Sequence, residues 1–237
     1  MNKRILHPAT VFFLLTLWVA VFSWVGSIYE WTDVRSLLSS EGFRWLLRSL
    51  NSNFVDNPFL GNLLIIFFGL GLWMHSGLWA LLKRILIYRK KPSRKEQRAL
   101  VCSMSVGIFC CIVCCTLAWG PWGIVRSIRG TLSNSPFMDG FWCLVSASMG
   151  LMSIVYAYSM DYYRRDKDIV DGMSYSFVRL GSYFVILFFV SQFFACFHYT
   201  HLDIWAGISE RVYNVSFLIC CILSLLWVAN KSKNPNE

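Results

Sequence analysis

Six long stretches of this chain consist almost entirely of apolar residues, and none of them contains Asp, Glu, Lys or Arg. Each is close to the twenty or so residues that an α-helix needs to cross a hydrocarbon core of about 30 Å. Only 15% of the residues are charged, against about a quarter in a soluble domain. The sequence therefore predicts an all-α, polytopic integral membrane protein that forms a single membrane domain over residues 1–237. The predicted spans are 11–29, 59–82, 99–119, 141–160, 180–199 and 212–228.

The basic residues alternate in number from one connection to the next. The two termini and the connections after the second and fourth spans hold sixteen Lys and Arg, whereas the other three connections hold six. Connections rich in Lys and Arg stay in the cytoplasm. This pattern predicts that both termini are cytoplasmic, together with the connections 83–98 and 161–179. We interpret the basic run 89–95 as a topology signal, with an anionic-lipid or nucleic-acid site as the alternative.

The first predicted outer connection has a helical pattern of its own. Ser39, Ser40 and Glu41 form a helix start signal, and apolar residues then alternate with Arg44 and Arg48. Such an amphipathic segment is typical of a helix that lies along a membrane surface. The sequence thus predicts one short interfacial helix in addition to the six spans.

The nine cysteines all fall within predicted spans, and their odd number is not typical of a disulfide framework. Cys110 with Cys114, and Cys111 with Cys115, have the i, i+4 spacing that could bring thiols together on a soft metal ion. We favour the other interpretation, small polarisable packing residues. The pair His198 and His201 lacks the Glu of a zinc protease motif.

Motifs for catalysis are absent from the sequence. It has no P-loop, no G-x-S-x-G element and no pair of carboxylates within a span. We therefore predict that the protein is not an enzyme and that it has no catalytic residue, no metal site and no cofactor.

Small and polar residues within the spans indicate packing faces and candidate binding groups. Ser146, Gly150 and Ser153 form a stripe at i, i+4 and i+7, where a neighbouring helix can approach closely. His75, Gln192 and His198 carry strong hydrogen-bonding groups at or near membrane depth and are our candidate substrate-binding residues. For Gln192, as for Asn62, an interhelical hydrogen bond is the favoured role.

Short motifs beside the spans occur in an order typical of one known family. The first part carries His7-Pro8-Ala9-Thr10, the segment 37–45, Asn53-Phe54, Pro58-Phe59-Leu60-Gly61 and Ser76-Gly77-Leu78. The later part carries Ser135-Pro136-Phe137-Met138, the segment 166–170, Met173-Ser174, Phe188-Phe189 and Gln192-Phe193. In these motifs the chain resembles the p-aminobenzoyl-glutamate transporter (AbgT) family.

The resemblance implies a secondary transporter with two re-entrant hairpins whose tips carry the substrate and ion chemistry. The hairpin motifs of the family have no counterpart in this sequence. Where the family reads Asn-Trp-Ser/Thr-Asn, this chain reads His198-Tyr199-Thr200-His201. We therefore expect a relative that is shortened internally and at its C-terminal end, onto which no substrate-binding residue of the family can be placed.

Two functions follow from these observations. All 13 acidic residues lie outside the six spans, whereas a transporter driven by sodium or protons needs dehydrated ligands or a titratable relay near the membrane midplane. We favour a membrane scaffold or accessory protein of the transporter family. The alternative is a secondary transporter of p-aminobenzoyl-glutamate-like amphipathic anions that works as a homo-oligomer or with a larger membrane-protein partner. We expect a bacterial inner-membrane protein whose partners are the lipid bilayer and such an assembly, with no nucleic acid.

Overall fold

The computed structural model describes residues 6–119, 125 and 135–231. Within this part of the chain it contains ten α-helices and no β-strand. Five helices are long and apolar enough to cross a membrane, and a bent pair of helices adds a sixth if the pair counts as one span. The all-α membrane fold is thereby confirmed. The helices are α1 Pro8–Ile28, α2 Ser40–Ser49, α3 Ser52–Val55, α4 Pro58–His75, α5 Leu78–Leu86, α6 Arg94–Trp119, α7 Pro136–Ser159, α8 Asp166–Tyr199, α9 Leu202–Trp205 and α10 Glu210–Lys231.

The second predicted span is broken in the structure. Instead of one helix over residues 59–82, α4 ends at His75 and α5 begins at Leu78, and the two helices meet at an angle of 68°. Gly77 between them has a φ of +79°, a left-handed conformation that glycine adopts without strain. The Ser76 hydroxyl accepts a hydrogen bond from the Leu78 N–H at 3.3 Å and so satisfies the first amide of α5.

The connection before the fifth span is largely helical. Residues 166–179 belong to α8, and only Leu180 departs from helical geometry, with φ −109° and ψ 15°. Because residues 166–179 include charged side chains, they were not counted in the predicted span 180–199. A helix can nevertheless extend well beyond the apolar segment that crosses the membrane. The hydrophobic pattern located the span and missed the full length of the helix.

The predicted short amphipathic helix is present as α2. The Ser39 hydroxyl caps its first turn by accepting from the Gly42 N–H at 3.0 Å. Gly42, Trp45 and Leu46 lie on the buried or half-buried side, while Phe43 and Leu47 are exposed. The position of α2 along the membrane surface stays a prediction.

The chain divides into two compact units. The terminal unit comprises Met1–Leu60 and Leu180–Glu237, and the central unit comprises Gly61–Arg179. In the terminal unit, the buried core includes Val19, Leu37, Cys196 and Leu202. In the central unit, two buried clusters are built from Leu78, Leu81, Ala99 and Tyr156, and from Leu72, Ala157 and Tyr163.

Candidate functional site

The polar residues of the terminal unit surround two cavities of about 440 and 410 Å³. Both are lined by Asn53, Ala195 and Tyr213, and we call the two together the terminal polar site. Cavities of this size are within the range that holds small molecules. The other lining residues are Arg35, Trp45, Ser52, Asp56, Asn57, Ser191, Phe194, His198, Tyr199, His201, Asn214 and Phe217.

Gln192 does not line either cavity, but its amide is hydrogen-bonded to Asn53, which lines both. Its Nε2 donates to the Leu50 carbonyl at 2.6 Å, and its Oε1 accepts from Asn53 Nδ2 at 3.3 Å. Leu50 is the C-cap residue of α2, where helix carbonyls have no partner within the helix. Because Gln192 is only 5% exposed, its amide ties α8 to the end of α2.

His198 is held by a buried carboxylate. Its Nδ1 lies 2.7 Å from Asp203 Oδ2, with the histidine ring mostly exposed and Asp203 5% exposed. His201, in a left-handed conformation with φ +57°, turns the chain from α8 into α9 and so brings Asp203 back to His198. His198 and His201 both line the 410 Å³ cavity, together with Arg35.

Of the three candidate binding residues, His198 lines the terminal polar site, and Gln192 is hydrogen-bonded to Asn53, which lines both of its cavities. Sequence analysis missed most of their neighbours, including Arg35, Asn53 and Tyr213. The Tyr213 hydroxyl donates to the Phe194 carbonyl at 2.8 Å. No spacing in the sequence relates Arg35 or Asn53 to α8, because more than a hundred residues separate them.

His75 lies in the central unit, at a cavity of about 510 Å³ beside the α4 to α5 break. Its Nδ1 is 3.0 Å from the Tyr163 hydroxyl. An ion pair between Arg84 and Glu96 lines the same cavity. Hydrogen bonds from Arg84 and then from the Ser93 backbone hold the pKa of Glu96 below its ordinary value.

The predicted packing residues all lie on α7 in the central unit. The Ser146 hydroxyl donates to the Ile65 carbonyl at 2.5 Å and accepts from the Gly69 N–H at 3.0 Å. A Cβ at Gly150 would lie 3.2 Å from Leu72 Cδ1. Ser153 is fully buried, and its hydroxyl bonds the carbonyl of Met149 in its own helix at 2.7 Å.

A tighter helix contact was not singled out in the sequence. A Cβ at Gly71 of α4 would lie 2.5 Å from the Gly172 carbonyl of α8. The buried Ser176 hydroxyl donates to the Phe67 carbonyl in the same unit. The Gly-x-Gly pattern of Gly69 and Gly71 was the available signal.

All nine cysteines are free thiols. In the described part of the chain, no three His, Cys, Asp or Glu side chains are grouped so as to hold a metal ion.

Comparison with known proteins identifies what this fold is similar to. The sequence profile of the AbgT transporter family matches residues 1–101 and 83–226. No curated protein sequence matches the chain.

Two solved structures of membrane transporters share the fold. MtrF of Neisseria gonorrhoeae, which is described as illuminating a class of antimetabolite efflux pumps, has a TM-score of 0.77 at 16% identity, with 97% of this chain and 80% of that chain covered. The YdaH transporter of Alcanivorax borkumensis, described as having an unusual topology, has a TM-score of 0.66 at 16% identity, with 84% of this chain and 72% of that chain covered.

Proposed function

Since this chain belongs to the AbgT transporter family, we propose that it acts in membrane transport as a scaffold or accessory protein and does not carry out coupled transport by itself. The family is one of membrane transporters, which accounts for the apolar helices and for the absence of catalytic motifs in the sequence. Coupled transport would then be carried out by another membrane protein. The hydrogen bonds of the polar side chains support this proposal.

The main support is that each candidate binding group already has a partner within the fold. Gln192 is bonded to Leu50 and Asn53, and His198 to Asp203, while His75 contacts Tyr163. If the buried Gln192 amide gave up its bonds to bind substrate, leaving it or the Leu50 carbonyl unpaired would cost about 1–3 kcal/mol. The described apolar spans also contain no carboxylate that could bind a coupling ion.

Reconstitution tests this proposal directly. The purified chain is placed in liposomes, and p-aminobenzoyl-glutamate flux is measured under an imposed sodium or proton gradient, with an active secondary transporter prepared in parallel as the positive control. We expect flux equal to that of empty vesicles. Coupled flux above this background would overturn the scaffold proposal.

One observation favours the alternative, a transporter of amphipathic anions such as p-aminobenzoyl-glutamate. Arg35, His198 and His201 line one cavity, and such groups suit a carboxylate. If coupled flux is observed, it should be lost in His198→Ala or Gln192→Ala, or in His75→Ala if the central cavity is the one used. Flux that survives all three substitutions would exclude these residues as the binding set.

We further propose that the protein resides in a bacterial inner membrane with both termini in the cytoplasm and that it assembles with a second copy or a larger membrane protein. The distribution of Lys and Arg supports the orientation. In a variant without native cysteines, an impermeant thiol reagent added from outside should label Ser52→Cys and spare Ser93→Cys. The reverse pattern would contradict the orientation. Crosslinking in native membranes should yield a species larger than the monomer.

A further inference from the structure

A sulfur-rich groove in the central unit lies outside the sites described above. It has a volume of about 850 Å³, is bordered by α6 and α7, and is almost entirely apolar. Six of its lining side chains carry sulfur: Met104, Cys111, Cys114, Cys115, Met149 and Met152. Ordinary apolar packing does not require this concentration of thiols and thioethers.

The thiols share one face of α6. Cys111 precedes Cys114 and Cys115 by three and four positions, a spacing that puts Cβ atoms about 5–6 Å apart on a helix surface. The sequence suggested the pairs Cys110 with Cys114 and Cys111 with Cys115, for which we favoured packing and predicted no metal site, and the groove leads us to revise that prediction. The structure turns Cys111, Cys114 and Cys115 toward the groove.

The second helix supplies thioethers at fixed positions. Met149 and Met152 belong to α7 and line the same groove as the thiols of α6. The Ser103 hydroxyl of α6 donates to the Met152 carbonyl at 2.8 Å. Met152 Sδ lies directly over Gly107, where a Cβ would come within 2.6 Å of it. These contacts hold α6 and α7 close together beside the groove.

We propose that this groove binds one monovalent soft metal ion, Cu(I) or Ag(I), between one or two thiols of α6 and thioethers of α7. Thiolate and thioether ligands select such ions. Zinc does not fit, because a structural zinc site has four nitrogen, sulfur or carboxylate ligands, whereas the described lining residues offer three thiols and no His, Asp or Glu.

Charge favours a monovalent ion over a divalent one. When the ion binds, one thiol releases its proton to water, and the thiolate and the cation form a neutral pair. Thioether ligands add no charge. Among the described residues that line the groove, only the cysteines are ionisable, so a neutral complex avoids the cost of leaving a net charge in hydrocarbon.

The test is a competition titration on the full chain in detergent under reducing, oxygen-free conditions. The purified protein competes with a chromophoric chelator for Cu(I), and we expect it to remove one ion per chain. The triple variant Cys111→Ser, Cys114→Ser, Cys115→Ser should bind at least about tenfold more weakly, since even outer-shell changes weaken metal sites to that extent. The matched control, Cys102→Ser, Cys110→Ser, Cys143→Ser, removes three thiols that do not line the groove and should bind as the wild type does.

A second variant keeps the experiment decisive if the triple variant does not fold. Met149→Leu with Met152→Leu approximately conserves side-chain volume and removes both thioethers of α7, so it should fold and bind Cu(I) more weakly. Equal losses in the groove and control triple variants would mean general thiol binding and would overturn the site. Wild-type affinity in the methionine variant would overturn it as well.

Discussion

The helices inside the terminal unit and those inside the central unit pack through different kinds of contact. The terminal unit relies on large or polar side chains that span gaps, such as the stacked rings of Trp45 and Tyr199 with centroids 4.0 Å apart and the amide of Gln192. The central unit relies on missing side chains, because Gly69 and Gly71 let backbones of other helices approach α4.

This difference teaches that the same apolar composition can support two kinds of helix contact. Without a hydrophobic driving force between helices in lipid, association depends on close packing and interhelical hydrogen bonds. The central unit combines both, through the glycines of α4 and the hydroxyls of Ser146 and Ser176, whereas the terminal unit depends on larger groups such as the amide of Gln192. Substitutions that add volume should therefore damage the central unit most, and substitutions that remove a specific group should damage the terminal unit.

The largest loss of stability is expected from adding a methyl group at a tightly packed glycine of α4. In Gly69→Ala the Cβ would lie 2.5 Å from the Ser146 carbonyl, and in Gly71→Ala it would lie 2.5 Å from the Gly172 carbonyl. Because backbone cannot give way cheaply, each change should lower the free energy of unfolding by about 1–3 kcal/mol. Thermal unfolding and size-exclusion chromatography in detergent measure this loss.

Two further glycines provide a graded control. Gly61 lies on the same helix with nothing within 4 Å of its Cβ position, so Gly61→Ala should leave stability unchanged or raise it by up to about 1 kcal/mol. In Gly150→Ala the new Cβ meets only the Leu72 side chain, which can move. Its loss of unfolding free energy should therefore lie between that of Gly61→Ala and those of Gly69→Ala and Gly71→Ala. If all four variants behave alike, the close-packing account of the central unit is wrong.

The next largest loss of stability is expected from removing the Gln192 amide in the terminal unit. Gln192→Met approximately keeps the side-chain volume but removes both hydrogen bonds of the amide, which leaves the Leu50 carbonyl unpaired. We expect a loss of about 1–3 kcal/mol in unfolding free energy, measured as above. The neighbouring Ser191→Ala is the control, because that hydroxyl bonds the Phe188 carbonyl of its own helix. An equal loss in both variants would argue against a tie between α8 and α2.

A smaller effect is expected from the stacked rings of the terminal unit. Trp45→Leu and Tyr199→Leu, alone and together, form a double-mutant cycle that isolates the contact between the rings. The coupling energy should be about 0.5–1.5 kcal/mol. Additive losses would mean that the two rings contribute only through burial.

The smallest effect is electrostatic and belongs to the central unit. Because Arg84 lowers the pKa of Glu96 in the folded state, the contribution of this pair is present above the unfolded value of about 4.3. It is lost as the pH falls through the lowered pKa. Glu96→Gln should therefore flatten the fall in unfolding temperature below that pH, by a small amount because the pair is near the surface.

Glu41→Gln serves as the matched control, since Glu41 forms no ion pair in the described part of the chain. Its acid unfolding curve should follow that of the wild type. An unchanged curve for Glu96→Gln would show that the ion pair adds nothing to stability.

The helical fold could be predicted from sequence because long uncharged apolar runs have few alternatives in a bilayer. The cap of α2 was also readable, since Ser39 lies directly before an amphipathic pattern. The break after His75 was missed even though Ser76 and Gly77 form a typical turn dipeptide. Apolar residues on both sides of that dipeptide hid it from a search for uninterrupted runs.

The candidate site could be predicted only in part. Polarity within a span identified Gln192 and His198, but their partners lie in segments that no local pattern connects to α8. Leu50 is 142 positions from Gln192 and offers only a backbone carbonyl. A contact of this kind depends on tertiary structure and leaves no trace in residue type.

The hydroxyl of Ser146 has a consequence for the order of biosynthesis. Ser146 is synthesised 77 positions after Gly69, so α4 leaves the ribosome before its bridging partner exists. At that stage the Gly69 N–H has the Ile65 carbonyl of its own helix as its natural acceptor. The arrival of α7 then places a hydroxyl between these two groups, so α4 reaches its final hydrogen-bonding pattern only after a later segment has been translated. A nascent chain stalled before residue 146 would hold α4 in its earlier, self-contained form.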